Sequence, residues 1–422
     1  MPGAGGRSLT RRNRSRRSIV VSSCRTLAAL RVLAITKIFP NALEPLSAPF
    51  NRQQFAALRE HCELDVMATI PWFPGAGLVA RWSSAGKLAA VPRRETIEGI
   101  EVSHPRTLFL PRLAHAMWGP LYAASIAPAL APYRGRVDVV LGSWAYPDGF
   151  AAVIAAQILG VPSVVKLHGS DINLIAKLPG PRRLMSWALP RAAHVVAVSR
   201  PLAEEAIALG VARDRVTVVL NGVDAALFQP RDRAAARREL GLPEAAPLAL
   251  YVGNLKPEKG VLELARAWPT VARHVADAQL AIVGGGPLRD QVAATVGERA
   301  RLVGPQPLER VPVWMAACDV LVLPSHVEGT PNVILEALAS GRRVVASRVG
   351  GVPDLVTSPT LGTLVPPGDV VALADALVLA LRQPYDPVEV ARLGARGGWA
   401  ASAAALHDVL RATFEVDGRS RR

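Results

Sequence analysis

The sequence predicts an α/β protein built from two doubly wound parallel sheets, and three observations carry that prediction. From residue 31 onward, short apolar runs bounded by turn residues alternate with longer helical patterns. The short runs are continuously apolar, as parallel strands covered on both faces require. The rhythm halts near residues 225–246 and starts again at 247. Two sheets therefore follow one another along 422 residues, a length that suits two domains of ~100–200 residues each.

In the first half, residues 32–35 read as a strand, 49–61 as a helix and 64–70 as a strand. Residues 71–135 are irregular, rich in Pro, Gly and Arg, with Trp72, Trp82, Trp118 and Tyr122 among them. Loops and one or two helices are expected there. The rhythm returns with a strand at 137–141, a helix at 148–159 and a strand at 163–167. A helical piece follows at 184–189, then a strand at 194–198. Pro201 suits the first position of the next helix, and 216–220 reads as a strand. Residues 225–246 read as a linker with one helix. In the second half, strands are expected at 248–252, 279–283, 301–303, 320–323, 343–346 and 363–365, with helical patterns between them. An amphipathic helix at 399–414 closes the chain.

Half the residues are hydrophobic and 20% are charged, which supports large cores and argues against global disorder. Aromatics make up only 5%, so the cores should be packed from small aliphatic side chains. The net charge of +15 suits nucleic acid, an anionic membrane or an anionic substrate. Arg7, Arg11, Arg12, Arg14, Arg16 and Arg17 form a basic run within 1–30, expected to be a disordered extension. Its other reading is an anchor for anionic headgroups. Cys24, Cys62 and Cys318 lie far apart with no C-x-x-C pair, so neither a disulfide framework nor a zinc site is expected. A reduced cytoplasm fits this usage. The apolar stretch after Arg17 is broken by Arg25 and Arg31, and no run reaches the ~18 residues of a membrane span.

The most informative segment is 323–341, Leu-Pro-Ser-His-Val-Glu-Gly-Thr-Pro-Asn-Val-Ile-Leu-Glu-Ala-Leu-Ala-Ser-Gly. A strand ends at Leu323. Thr330 is a suitable N-cap, Pro331 a suitable first helical residue, and Gly341 a suitable stop. A helix start of this kind presents free N–H groups and the positive dipole end, a ready phosphate site. Glu336 lies five residues further, ~7.5 Å along the axis. A carboxylate at that depth can accept both hydroxyls of a ribose. Glu328 precedes the helix and would sit nearer a sugar.

Three further elements flank strand ends. Lys256 and Lys259, in the loop after 248–252, are cations able to neutralise a leaving diphosphate. Gly284 and Gly286, in a glycine loop after 279–283, would allow close backbone approach. His168 and Asp171, in Lys-Leu-His-Gly-Ser-Asp at 166–171, are polar groups on the ligand side of a sheet. No D-x-D clamp, H-E-x-x-H, G-x-S-x-G or Walker loop is present, which weighs against hydrolase, kinase and metal-dependent readings.

On these residues the chain resembles glycosyltransferase family 4, of the GT-B fold, over roughly residues 31–416. The Glu328-x7-Glu336 pair enclosing Gly329-Thr330-Pro331-Asn332 is the most specific part. Phe39-Pro40, Pro147-Asp148-Gly149, His168-Gly169-Ser170-Asp171, Asn221-Gly222-Val223-Asp224, Gly284–Pro287, Gly350-Gly351-Val352-Pro353 and Trp399 follow in the family's order. Together they look like the branch that builds bacterial cell-surface polysaccharides such as teichuronic acid.

The resemblance implies two Rossmann-like domains facing across a cleft. The first, at 31–225, would bind the acceptor, with a helix at 399–416 packing back on it. The second, at 247–398 after a linker at 226–246, would bind a nucleotide sugar. It further implies a retaining transfer with no cofactor and no metal, from a UDP- or GDP-sugar to a glycan or lipid-linked acceptor. Glu336 would hold the ribose. Glu328 and the amides of Gly329 to Val333, with Thr330, Pro331 and Asn332 between them, would hold sugar and phosphate. Lys259 would carry diphosphate charge, and His168 would contact the transferred sugar. The leaving phosphate oxygen would help deprotonate the acceptor.

Two departures from the family pattern stand out. Asn254 replaces a common Arg, with Lys256 nearby as compensation, and Ala48 stands where a glycine is common. Asp171 and Ala48 would lie on the sugar and acceptor side. A cytoplasmic chain, peripheral on the inner membrane face, is the expected location. The rival readings are a nucleotide-sugar epimerase of the same fold and a non-catalytic binder of nucleotide or nucleic acid. The second lacks a basic-aromatic motif, so no nucleic-acid partner is expected.

Overall fold

The computed structural model describes residues 29–45, 47–74, 84–108 and 117–420. The extension 1–30, apart from residues 29 and 30, lies outside the described residues with the whole of its basic run, as do Cys24 and Trp82.

The first unit is an eight-stranded sheet in the spatial order Val216–Val218, His194–Ala197, Ser163–Leu167, Val139–Ser143, Arg31–Thr36, Glu63–Ala68, Ile100–Ser103, Arg94–Ile97. All neighbours are parallel except the last pair. Side chains alternate across it, as the two-residue repeat of a strand requires. Leu33, Ile35, Val140, Val165 and Val195 face one core with the helix Phe150–Leu159. Val32, Ala34, Val139, Leu141 and Val196 face the other, where Phe55 and Leu58 of the helix Pro49–Leu58 pack with Ala403, Leu406 and Leu410. Those last three belong to the helix Trp399–Ser420. The end of the chain thus builds a core with its beginning.

The second unit is a six-stranded parallel sheet in the order Ala300–Gly304, Gln279–Val283, Leu248–Val252, Val320–Leu323, Arg343–Ser347, Gly362–Val365. Its faces are covered in the same alternating way. Leu250, Ala281, Leu321 and Val344 pack with Ile334, Leu335 and Leu338. Tyr251, Leu280, Val320 and Val345 pack with Leu264, Trp268, Leu373 and Leu377.

Two segments differ from the sequence reading. Residues 71–135 carry strands where loops were expected. Arg94–Ile97 and Ile100–Ser103 form an antiparallel hairpin whose turn residues Glu98 and Gly99 have φ of 51° and 76°. Such a turn needs positive φ at both positions, and Asn-Gly or Asp-Gly usually announces it. Here Glu98 takes the first position, and Arg59 Nη1 donates to its carbonyl at 2.9 Å. Ile70–Trp72 also pairs with Arg106–Leu108 in a small parallel sheet.

Residues 225–246, read as a linker with one helix, are docked on the second unit. The helix Arg233–Leu240 is capped by Asp232, and its Arg237 is fully buried. That guanidinium donates to the carbonyls of Ala317, Pro243, Glu244 and Ala246 and to Asp319 Oδ2 at 2.6–3.0 Å. A buried cation is tolerable only when its donors are met in this way.

Candidate active site

In a doubly wound sheet, ligands gather outside the carboxyl ends of the strands, where the order of connection reverses. In the second sheet that point lies between Leu248–Val252 and Val320–Leu323. In the first it lies between Arg31–Thr36 and Val139–Ser143. A cleft of about 450 Å³ is walled by residues that follow these strands on both units.

On the second unit, the loop after Leu323 carries Glu328, and the helix Asn332–Ala339 follows. Glu328 is buried, and its Oε1 accepts from Lys259 Nζ and from Ser325 Oγ, each at 2.7 Å. Glu336 sits one turn into the helix, half-buried at the cleft wall. Its carboxylate has no hydrogen-bond partner among the described residues, and burial pushes its pKa up to about 7. Asn254, Gly329, Thr330, Pro331, Asn332 and Val333 also line this wall.

The helix start differs from the sequence reading. Pro331 stands at the N-cap position, and no side chain caps the helix. Thr330 does not cap it: its hydroxyl is turned across the cleft, where it donates to the carbonyl of Val198. The first amides of the helix are therefore left without a side-chain acceptor, which suits an external anion better than a capped start would.

On the first unit, His168 lines the cleft, stacked on Trp144 with ring centroids 4.6 Å apart and planes at 17°. Phe50 lies 5.3 Å from the same imidazole. His168 Nε2 is 2.9 Å from Ser143 Oγ. Burial, and then the neighbouring Lys166, hold the imidazole well below its usual pKa. Trp144 has φ 108°, a rare value for a bulky residue and a sign of a position fixed by its surroundings.

The two walls touch directly. Asn173 Nδ2 donates to the Glu328 carbonyl at 2.9 Å, and Asn221 Nδ2 to Asn332 Oδ1 at 2.9 Å. Asn221 Oδ1 accepts in turn from Lys166 Nζ at 3.3 Å. That ammonium is almost fully buried and also donates to Gln54 Oε1, while Gln54 Nε2 donates to Ser402 Oγ at 3.2 Å. A polar chain thus runs from the returning helix Trp399–Ser420 to the start of the helix that carries Glu336. Burial lowers the Lys166 pKa to about 7.

Several expected residues stand apart from the cleft wall. Asp171 is fully buried and points inward, and its carboxylate accepts from the amides of Ala145, His168, Gly169 and Ile172. It shapes the turn that presents His168 and is not among the residues that wall the cleft, where it was expected on the sugar and acceptor side. Gly284 and Gly286 are packed against the carbonyls of Gly253 and Leu255, where a Cβ would come within 1.9 and 2.5 Å. They support the loop that holds Asn254 and do not face the cleft. Lys256 is exposed and is not among the residues that wall the cleft. Ala48 lies behind Pro49 and Phe50 with φ 44°, keeping the left-handed backbone that a glycine would adopt without strain.

Trp144, Phe50, Lys166, Ser143 and Asn51 escaped the sequence reading as site residues. The signal available was polarity in the wrong place: Lys166 inside an apolar strand, and Asn51 and Gln54 on the buried side of a helix.

Comparison with known proteins decides the family. A model described as Glycosyl transferases group 1 matches residues 246–383, and one described as Glycosyltransferase Family 4 matches residues 78–227. A Bacillus subtilis protein, named as the teichuronic acid biosynthesis glycosyltransferase TuaC with that role marked provisional, is 30% identical over 357 residues, 82% of this chain and 88% of its own. The chain belongs to glycosyltransferase family 4. Among solved structures, sucrose-phosphate synthase from Thermosynechococcus elongatus superposes with TM-score 0.70 at 21% identity, covering 92% of this chain and all of that one. HepE from Anabaena, in complex with UDP, superposes with TM-score 0.63 at 20% identity over 93% of this chain and 98% of its own. The glycosyltransferase therefore has the GT-B architecture, two Rossmann-like units across a cleft. Among its described residues no helix is long and apolar enough to cross a membrane.

Proposed function

We propose that this glycosyltransferase moves a sugar, with retention and without a metal, from a UDP- or GDP-sugar to a glycan or lipid-linked acceptor in cell-surface polysaccharide synthesis. The observation that carries the proposal is the pairing at the helix Asn332–Ala339 of an uncapped amide start with an unpartnered Glu336. Lys259 stands beside them at 2.7 Å from Glu328. A diphosphate at the amides would be met by the helix dipole and by Lys259. The ribose hydroxyls would then donate to Glu336. Charge that builds on the leaving phosphate is stabilised by groups already in place. The acceptor enters from the side of His168 and Trp144, and its proton passes to the leaving phosphate oxygen. HepE's complex with UDP and the relative named for teichuronic acid synthesis support this reading.

The direct test is transfer or hydrolysis with labelled UDP- and GDP-sugars. Glu336→Ala should abolish it, and full activity in that variant would end the assignment. The pH dependence carries a sign. With the folded pKa raised to about 7, the free enzyme's Glu336 is protonated at acid pH and ionises as pH rises. Nucleotide affinity should therefore climb through neutrality, and Glu336→Gln should remove that climb. A raised folded pKa also means that Glu336 weakens the fold as pH rises from the unfolded value towards about 7. Glu336→Gln should thus be more stable than the parent at pH 8, by roughly 1–3 kcal/mol, and no more stable at pH 4. Equal unfolding curves at both pH values would count against an ionised, desolvated Glu336.

The same proposal places the enzyme on the inner membrane face, in keeping with its net charge of +15. It should co-sediment with liposomes containing anionic lipid more than with neutral ones. No difference would argue for a soluble acceptor.

A further inference from the structure

We infer that Asn51 and Ser143 fix the tautomer of His168, so that the imidazole meets the sugar with a nitrogen that can only accept. The partner on the sugar must then be a hydroxyl that donates. This rests on the proposed reading, in which His168 faces the transferred sugar.

The hydrogen-bond directions follow from one unambiguous atom. The carbonyl oxygen of Ile38 can only accept, and Asn51 Nδ2 lies 3.0 Å from it. The other end of that amide is therefore the oxygen Oδ1, which also can only accept. Ser143 Oγ stands 3.0 Å from Oδ1 and must give it the hydroxyl proton. Both residues are fully buried, so two oxygens facing each other with no proton between them would be costly. Ser143 has only one proton. Towards His168 Nε2, at 2.9 Å, its oxygen is left to accept, so Nε2 carries hydrogen.

The imidazole holds a single proton, since burial and the Lys166 ammonium both oppose a second. Nδ1 is then a bare lone pair. It has no partner among the described residues and is not an enclosed orphan, on a ring that lines the cleft. The stack on Trp144 holds the ring plane. Ser143 and Asn51 are positioning residues here, one step removed from the sugar.

A lone pair of this kind recognises an O–H and rejects a group that cannot donate. Replacing the facing hydroxyl leaves a desolvated acceptor unpaired, which costs roughly 10- to 100-fold.

The first measurement is long-range proton–nitrogen correlation on ¹⁵N-histidine-labelled enzyme, with His168 assigned by its absence in His168→Gln. Nε2 should be of the protonated type and Nδ1 of the bare type. Protonated Nδ1 in the parent enzyme would overturn the inference, whatever the activity. The second measurement uses the monodeoxy and monodeoxyfluoro analogues of the nucleotide sugar that the enzyme turns over best. At one sugar position, hydrogen and fluorine should be equally poor, each lowering kcat/KM about 10- to 100-fold. Ser143→Ala should lower kcat/KM for the parent sugar and shrink that penalty. A fluorine tolerated at every position, or a penalty unchanged in Ser143→Ala, would refute it. If no nucleotide sugar is turned over, the proposed function fails, while the tautomer is still read by the first measurement.

Discussion

Replacing Lys259 by Ala is expected to lower kcat by about 10²–10³, the usual cost of removing one preorganised group that stabilises developing charge. The ammonium stands at the mouth of the strand Leu248–Val252, paired with Glu328 at 2.7 Å, on the wall that carries the uncapped helix start. On the proposed reading its charge would be in position before the diphosphate leaves, with no reorganisation during the reaction. The variant has a second effect that must be separated from the first. Glu328 is buried, and without Lys259 only Ser325 still donates to its Oε1. Lys259→Ala should therefore lose about 1–3 kcal/mol of stability, from a carboxylate left underpaired. Adding Glu328→Gln should restore much of the stability without restoring turnover. If the double variant regained turnover along with stability, Lys259 would matter only as the partner of Glu328. Lys259→Arg, which keeps the charge, should retain more activity than either.

The parts of the fold legible in advance were those decided locally. Leu248–Val252 and Val320–Leu323 are apolar throughout because helices cover both faces, so their identity shows without knowledge of their neighbours. The strand end and the helix that place Glu328 and Glu336 were legible because they lie with a Gly-Thr-Pro turn within one short stretch. What could not be read depends on partners far along the chain. Thr330 has the chemistry of a cap, yet its hydroxyl is turned away from the helix, to the carbonyl of Val198, 132 residues away. Asp171 has the chemistry of a ligand, yet four amides on its own side of the cleft consume it. Lys166 reads as a flaw in a strand until Gln54 and Asn221 arrive from two other elements to accept from it.

The contact between the walls leads to the second large effect. Gly329→Ala is expected to lower kcat/KM by about 10²-fold, the order of loss for a displacement of ~1 Å at a reacting centre. Gly329 is not in a left-handed conformation, so Ala is acceptable to its own backbone. The obstacle lies across the cleft. A Cβ at 329 would stand 2.1 Å from the carbonyl oxygen of His168 and 3.0 Å from the Cα of Gly169. Both are backbone atoms, which cannot swing aside as a side chain would. A Cβ at 169 would likewise stand 2.6 Å from the Cα of Gly329, so the two glycines are matched. Ala at 329 must push the first unit's wall, and His168 with it, away from Glu328 and the helix start. Lys259 and Glu336 sit on the same unit as Gly329 and keep their places. The variant should thus bind UDP or GDP within a few-fold of the parent while its turnover collapses. Calorimetric titration with the nucleotide, set beside kcat/KM for the nucleotide sugar, separates the two. A fall in turnover of less than about fivefold would mean that transfer does not require the walls to meet at Gly329.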